Sequence, residues 1–251
     1  MNFARFPLVL AIATSLYFSL VGLAKIEAQT SLPPSLPPLQ AHPLPPALAQ
    51  WQDSPPVGDY FDQIQSSPAG YLIWSEFPIK VYWERPAELA TANASDRRLQ
   101  QWSGAVGQAV AEWQVYLPLV AVSRRELADI IIERSPPPLG SRLDPKTGKL
   151  QIPRARTAET RYQFYVREGN PLVLYHRMTV NLSPGLSEAS TLAAVRHELG
   201  HALGIWGHSP LETDALYFSQ VRQPTTISRR DINTLKKIYQ QPTRLGWALP
   251  L

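Results

Sequence analysis

Residues 187 to 208 read Ser187-Glu188-Ala189-Ser190-Thr191-Leu192-Ala193-Ala194-Val195-Arg196-His197-Glu198-Leu199-Gly200-His201-Ala202-Leu203-Gly204-Ile205-Trp206-Gly207-His208, and the rest of the chain can be read outward from them. Residues four apart share one face of an α-helix. His197 and His201 can therefore aim both imidazoles at one ion, and Glu198 can reach a water beside it. Ser187 is a fitting N-cap with Glu188 in the first turn. Gly204 is a stop, because glycine accepts the left-handed backbone that reverses a chain. The chain would then return His208 as a third ligand. This spacing points to a zinc-hydrolase site. The plain alternative, two polar residues satisfied in a helix-packing site, leaves Glu198, Gly204 and His208 unexplained.

Upstream, Phe77 to Trp83 alternates as a strand should, and Ser95 to Tyr116 has helical spacing of Leu99, Trp102, Val106, Ala109, Val110 and Trp113. Ser95 is the expected N-cap there, and Pro118 closes the segment. Two short strands follow, Leu119 to Ser123 and Ala128 to Arg134, the second holding Ile130-Ile131-Ile132. Residues 135 to 149 carry turn signals and are expected to form a loop. Asp144 within it offers calcium a single carboxylate, which turn formation explains better. Strands are expected around Gln151 to Val166, with a break inside, and over Leu172 to Leu182. The last helix should run from Ser228 through Tyr239, with Asp231 at its third position and Ile232, Leu235, Ile238 and Tyr239 inward.

A chain of 251 residues with 44% hydrophobic content can bury a real core, as one good-sized domain with extras or as two small ones. The formal charge of +4 comes from scattered pairs such as Arg97-Arg98 and Lys236-Lys237. Nucleic-acid binding would need such charges gathered on one face, so it is not expected. There is no cysteine, which removes disulfides and thiolate chemistry and leaves His, Asp and Glu as metal ligands. Residues 1–28 read as a signal peptide: Arg5 precedes the apolar run from Pro7 to Ala24, with cleavage after Ala24 or Ala28. An uncleaved signal anchor is the alternative, since the run is about long enough to span a bilayer. Either way the remainder is expected outside the cytoplasm: secreted, periplasmic or membrane-tethered. Residues 31 to 58 carry nine prolines, so 29–58 reads as a Pro-rich linker or tether. The ordered body, 59–251, is expected to begin near Asp59.

The run from His197 to Gly204, followed by His208-Ser209, resembles the zinc signature of the metzincin metallopeptidases, and of the matrixin branch most closely. Ala128-Asp129-Ile130 resembles the matrixin strand before the calcium and substrate loops. Asp214-Ala215-Leu216-Tyr217 resembles the segment around the Met-turn, and Ser228 to Tyr239 the closing helix. The likeness spans roughly residues 75 to 240. It implies an α+β fold: a twisted mixed sheet, mostly parallel, with long helices, an active-site helix and a small C-terminal subdomain ending in a helix. It further implies one catalytic Zn2+ on His197, His201 and His208, Glu198 as general base, and a protein or peptide substrate lying along an edge strand within residues 151 to 166. Calcium is a second cofactor that the family suggests and these residues do not support.

Three positions depart from the pattern. The usual third ligand falls at Gly207, and His208 comes one residue later. Leu216 stands where the Met-turn has methionine, a swap of similar volume that cores usually tolerate. The cysteine that holds matrixin precursors inactive has no counterpart. A catalytically inactive protein of the same fold that binds a partner is the second reading, against which Glu198 stands. Hydrolysis of something other than peptides is a third. His42 and His176 are not expected to be ligands, and Tyr217 is expected to pack rather than to act.

Overall fold

The β-branched run Ile130-Ile131-Ile132 lies at the centre of a five-stranded mixed sheet, as the structure, a computed structural model, places it. It describes residues 32–33, 35–86, 93–138, 142–143, 148, 150–151, 156–219 and 225–250. Strands β1 (Ile79–Trp83), β2 (Leu119–Ala121), β3 (Ile130–Glu133), β6 (Ala158–Arg167) and β7 (Val173–Leu182) have the order β2-β1-β3-β7-β6. The two short strands β4 (Arg142–Leu143) and β5 (Leu150–Gln151) form a separate antiparallel pair. They stand within and just after a stretch expected to be loop alone.

All three isoleucines of β3 are buried, as suits a central parallel strand flanked on both edges. Parallel pairing joins β1 to β2, β1 to β3 and β3 to β7. The outermost strand β6 runs antiparallel to β7, from Ala158 opposite Leu182 to Arg167 opposite Val173. The strand bounds differ from the expected ones by one or two residues at most ends, where local propensity is weakest.

Among the described residues, four α-helices complete the α+β architecture: α1 (Pro46–Gln50), α2 (Ala94–Gln114), α3 (Glu188–Ala202) and α4 (Arg229–Tyr239). Helix α2 starts earlier than expected. Asn93, not Ser95, is the N-cap, and its side chain accepts from the Asp96 amide. Both residue types cap well, and the cap lies two residues upstream. Its buried stripe includes Trp102, Val106, Ala109, Val110 and Trp113. Helix α3 packs on α2: the Trp113 indole donates to the Arg196 carbonyl at 2.9 Å, and Arg196 makes two hydrogen bonds to Glu112, at 2.5 and 2.8 Å. Helix α4 has a full capping box, in which the Ser228 side chain and Asp231 each satisfy the other's backbone amide.

The expectation of a free tether ending near Asp59 is corrected over residues 36 to 58. Leu48 is wholly buried, Gln40 exchanges backbone hydrogen bonds with Thr243, and the Trp51 indole donates to Asn233 at 2.8 Å. Asp53 pairs with Arg229 of α4. Extended proline-rich backbone has no internal hydrogen bonds to lose, so its leucines are free to pack on a neighbouring surface. The signal or anchor expected over 1–28 lies outside the described residues. Among those described, no helix is long and apolar enough to cross a membrane.

Candidate metal centre

Helix α3 begins at the expected cap, with Ser187 accepting from the Ser190 amide. Its inward stripe of Val195, Leu199 and Ala202 is buried, and Leu203 just beyond its end is buried too. That stripe fixes the helix's rotation, so His197 and His201 reach the floor of a cleft with their Nε2 atoms 3.0 Å apart. His208 joins them, and the three donor nitrogens lie within 4.8 Å of one another. Its ring centroid is 5.2 Å from that of His197 and 4.8 Å from that of His201.

The turn that delivers His208 is tightly built. Gly204 has φ +128°, and a side chain there would meet the Leu72 carbonyl oxygen at 2.6 Å. Only glycine fits. Gly207, where the resemblance puts the third ligand, lies against the backbone of Gln63: an added Cβ would come 2.2 Å from its carbonyl oxygen. The Gln65 amide donates to the Trp206 carbonyl at 2.9 Å, and the Ser209 amide to the Leu216 carbonyl at 2.8 Å. His208 is thus held between two anchored neighbours. The extra residue is absorbed by segment 63–65 on one side and the Asp214–Tyr217 turn on the other.

That turn supports the site from below. Leu216 is fully buried, with its Cδ2 2.5 Å from where a Cβ on Gly200 would stand. It packs against the helix at Gly200, between the positions of the two helical histidines in sequence. The Ala215 carbonyl lies 2.9 Å from His197 Nδ1, and the Ile205 carbonyl 2.7 Å from His201 Nδ1. A carbonyl only accepts, so each Nδ1 carries the hydrogen and each Nε2 presents its lone pair. Two such lone pairs at 3.0 Å repel unless a cation lies between them. Burial first, and then the neighbouring His201, lowers the His197 pKa to about 4; burial likewise lowers His201 to about 4. Doubly protonated rings are therefore disfavoured, and the donor set fits a metal ion. Backbone carbonyls behind ligating imidazoles are the usual way such rings are oriented.

Glu198 is buried beside the histidines. Burial pushes its carboxyl pKa up, while His197 and the Thr160 hydroxyl pull it down. Thr160, on β6, lies with its Oγ1 2.6 Å from Glu198 Oε2 and 3.1 Å from the Glu198 carbonyl oxygen. The cleft has a volume of about 910 Å³, with residues 156 to 160 on one wall and Trp206 to His208 on the other. The edge of β6 therefore borders the three histidines. A smaller cavity of about 280 Å³, lined by Ala193, Ala194, Ala215 and Tyr217 among others, opens beside it. Trp206 sets its ring edge-on to His201 and to Tyr162.

The other sequence candidates do not join. His176 lies on β7, buried and stacked on Trp74 at 4.0 Å. His42 stacks on Trp247, with its Nε2 2.8 Å from the Leu245 carbonyl oxygen. Asp144, considered for calcium, lies outside the described residues. Tyr217 is half-buried beside Phe218. Thr160, Gln65, and the carbonyls of Ala215 and Ile205 escaped the sequence reading. Asp231 was legible at the third position of the last helix, but its acceptance of the Ala215 amide at 2.9 Å, which ties α4 to the turn under His197, was not. The chain matches no protein-family model and no curated protein.

Proposed function

We propose that the chain is an exported, zinc-dependent endopeptidase of the metzincin kind, whose catalytic body includes residues 36–58 as a packed strap. The observation that carries this reading is the pair of Nε2 lone pairs on His197 and His201. They are fixed by carbonyl-bound Nδ1 atoms and completed by His208, with an acid–base side chain, Glu198, adjoining. Three neutral imidazoles leave one position open on a tetrahedral ion, which is the catalytic rather than the structural pattern. Zinc held there would supply Lewis-acid polarisation of a carbonyl and bring the pKa of water from 15.7 to about 7.

The chain's own residues do the rest. The free edge of β6 bonds an extended peptide backbone through main-chain hydrogen bonds, which are sequence-tolerant. Glu198 takes a proton from the water as its oxygen adds to the peptide carbonyl. It then returns that proton to the departing nitrogen as the C–N bond breaks. Thr160 holds the Glu198 carboxyl, and Leu216 packs against the helix at Gly200.

A binding protein of this fold without activity is the second reading, and the shifted place of His208 together with Leu216 in place of a methionine favours it. One experiment separates the two. The purified protein is loaded with zinc and offered casein, alongside Glu198→Ala. Cleavage by the wild type, lost in the variant at equal zinc content, is the expected result. Equal inertness with zinc bound supports the binding protein instead.

A further inference from the structure

We propose that Trp206 is a specificity-determining residue: with Tyr162 it forms a subsite beside His201 for an aromatic side chain of the substrate. This inference rests on the endopeptidase reading and adds to it what the cleft selects. Trp206 stands between Gly204 and His208, in the stretch whose extra residue shifts the third histidine. Its backbone is tied on both sides. The Trp206 amide donates to the Gly204 carbonyl at 2.8 Å, and its own carbonyl accepts from the Gln65 amide at 2.9 Å. Its ring lies 5.9 Å from that of His201 and 5.0 Å from that of Tyr162, steeply inclined to both. An indole held in this way loses little freedom when a ligand meets it.

The indole is held but not covered. Of the seven tryptophans, Trp51, Trp74, Trp83, Trp113 and Trp247 donate to acceptors in the chain, and the Trp102 N–H is buried. The Trp206 N–H has no acceptor among the described residues, and it is not buried. Trp206 is half-buried and lines the cleft that holds the three histidines. An apolar ring with an open donor suits a partner that brings an apolar side chain and a backbone carbonyl together. Tyr162 follows Thr160 by two positions on β6, so both face the same side of the strand. At about 3.3 Å per residue, the aromatic pair stands about two residues along the strand from the threonine that holds Glu198. Thr157 and Ala158, at the other end of this stretch, line the smaller cavity instead. An extended peptide on the β6 edge would thus offer the pair a side chain about two residues from the bond that is cut.

The charges around the cleft favour an aromatic occupant over a cationic one. Its wall carries two carboxylates, Glu159 and Glu198. Glu159 lies 3.5 Å from Arg156 and 2.8 Å from Arg161, and Glu198 is engaged by Thr160. Arg156 lines the same cleft and would repel a lysine or arginine.

Binding of uncleaved peptides tests the proposal. Zinc-loaded Glu198→Ala protein is titrated by calorimetry with acetylated octapeptides of alanine and glycine that carry a single Phe, Leu or Lys. The position of that residue is moved along the peptide. At one position Phe should bind roughly two- to tenfold tighter than Leu or Lys, the worth of one aromatic pair. Adding Trp206→Leu should remove that advantage, and adding Trp206→Phe, which keeps a ring, should retain most of it. Zinc content is compared across the variants. Phe bound no better than Leu at every position, a preference for Lys, or a Phe advantage that survives Trp206→Leu overturns the proposal. So does equal weakening of all three peptides in Trp206→Leu, which marks a structural role. Wild-type protein given the Phe peptides separates this proposal from the reading beneath it. Intact peptide with the Phe preference retained in binding fails the endopeptidase reading alone, and cleavage without any preference fails the aromatic subsite alone.

Discussion

Thr160 has one hydroxyl hydrogen and two acceptors in reach, Glu198 Oε2 at 2.6 Å and the Glu198 carbonyl at 3.1 Å. With Glu198 ionised, the hydrogen goes to the carboxylate. Once Glu198 has taken a proton it can donate to Thr160 Oγ1, whose own hydrogen turns to the carbonyl. The side chain is then held in both protonation states, as a shuttling base requires. Thr160→Val should lower kcat roughly tenfold with KM little changed, and Thr160→Ser should restore it; steady-state kinetics on a peptide substrate decides this. His176 carries a different expectation. Burial lowers its pKa from 6.5 to about 3, so between those values the unfolded chain binds the proton and the folded one does not. Its contribution is fully present above pH 6.5 and is lost as pH falls through that window. Replacing it with Phe, which keeps a ring against Trp74, should flatten the pH slope of stability by up to about 1.4 kcal/mol per unit. Urea unfolding at several acid pH values would measure the slope.

Helix α3 and the turn after it show why some of the site could be read from sequence and some could not. Ser187, Gly204 and the i,i+4 histidines are local signals, so the helix and the placing of His197 and His201 on one face of it were legible. Helix α4 was legible for the same reason, through Ser228 and Asp231. Thr160 lies 38 positions from Glu198, and no local pattern marks the contact. Leu216 was expected beneath the metal ligands from family likeness. Its seat against Gly200 gives that position a physical reason: the helix has no Cβ at the point where the leucine enters. The structure brings His208 to the two helical histidines despite its shifted spacing, but what holds its turn, Gln63 and Gln65, belongs to a segment with no motif. Gly204→Ala tests the turn directly. A side chain at φ +128° and 2.6 Å from the Leu72 carbonyl should cost about 2 kcal/mol, a fall of roughly 4 to 8 °C in Tm. Zinc content should fall with it, because His208 follows from that turn.

Across the whole molecule, the proline-rich segment connects parts that the sheet and helices leave apart. Gln40 pairs with Thr243 near the C-terminus, Trp51 and Asp53 hold α4, and Tyr60 donates to Asp231 at 2.5 Å. Asp231 in turn accepts from the Ala215 amide, whose residue orients His197. A continuous set of contacts therefore runs from the N-terminal strap through α4 to His197. Proline content alone reads as a spacer, because composition reports backbone stiffness and not what the interspersed leucines touch. Leu48→Ala distinguishes a strap from a spacer. The residue is wholly buried against the core, so truncation should cost about 2 to 5 kcal/mol. Tm should fall by roughly 5 to 15 °C in a thermal melt of the full chain. A spacer would tolerate the change, and an unaltered Tm would mean that residues 36 to 58 do not hold the fold together.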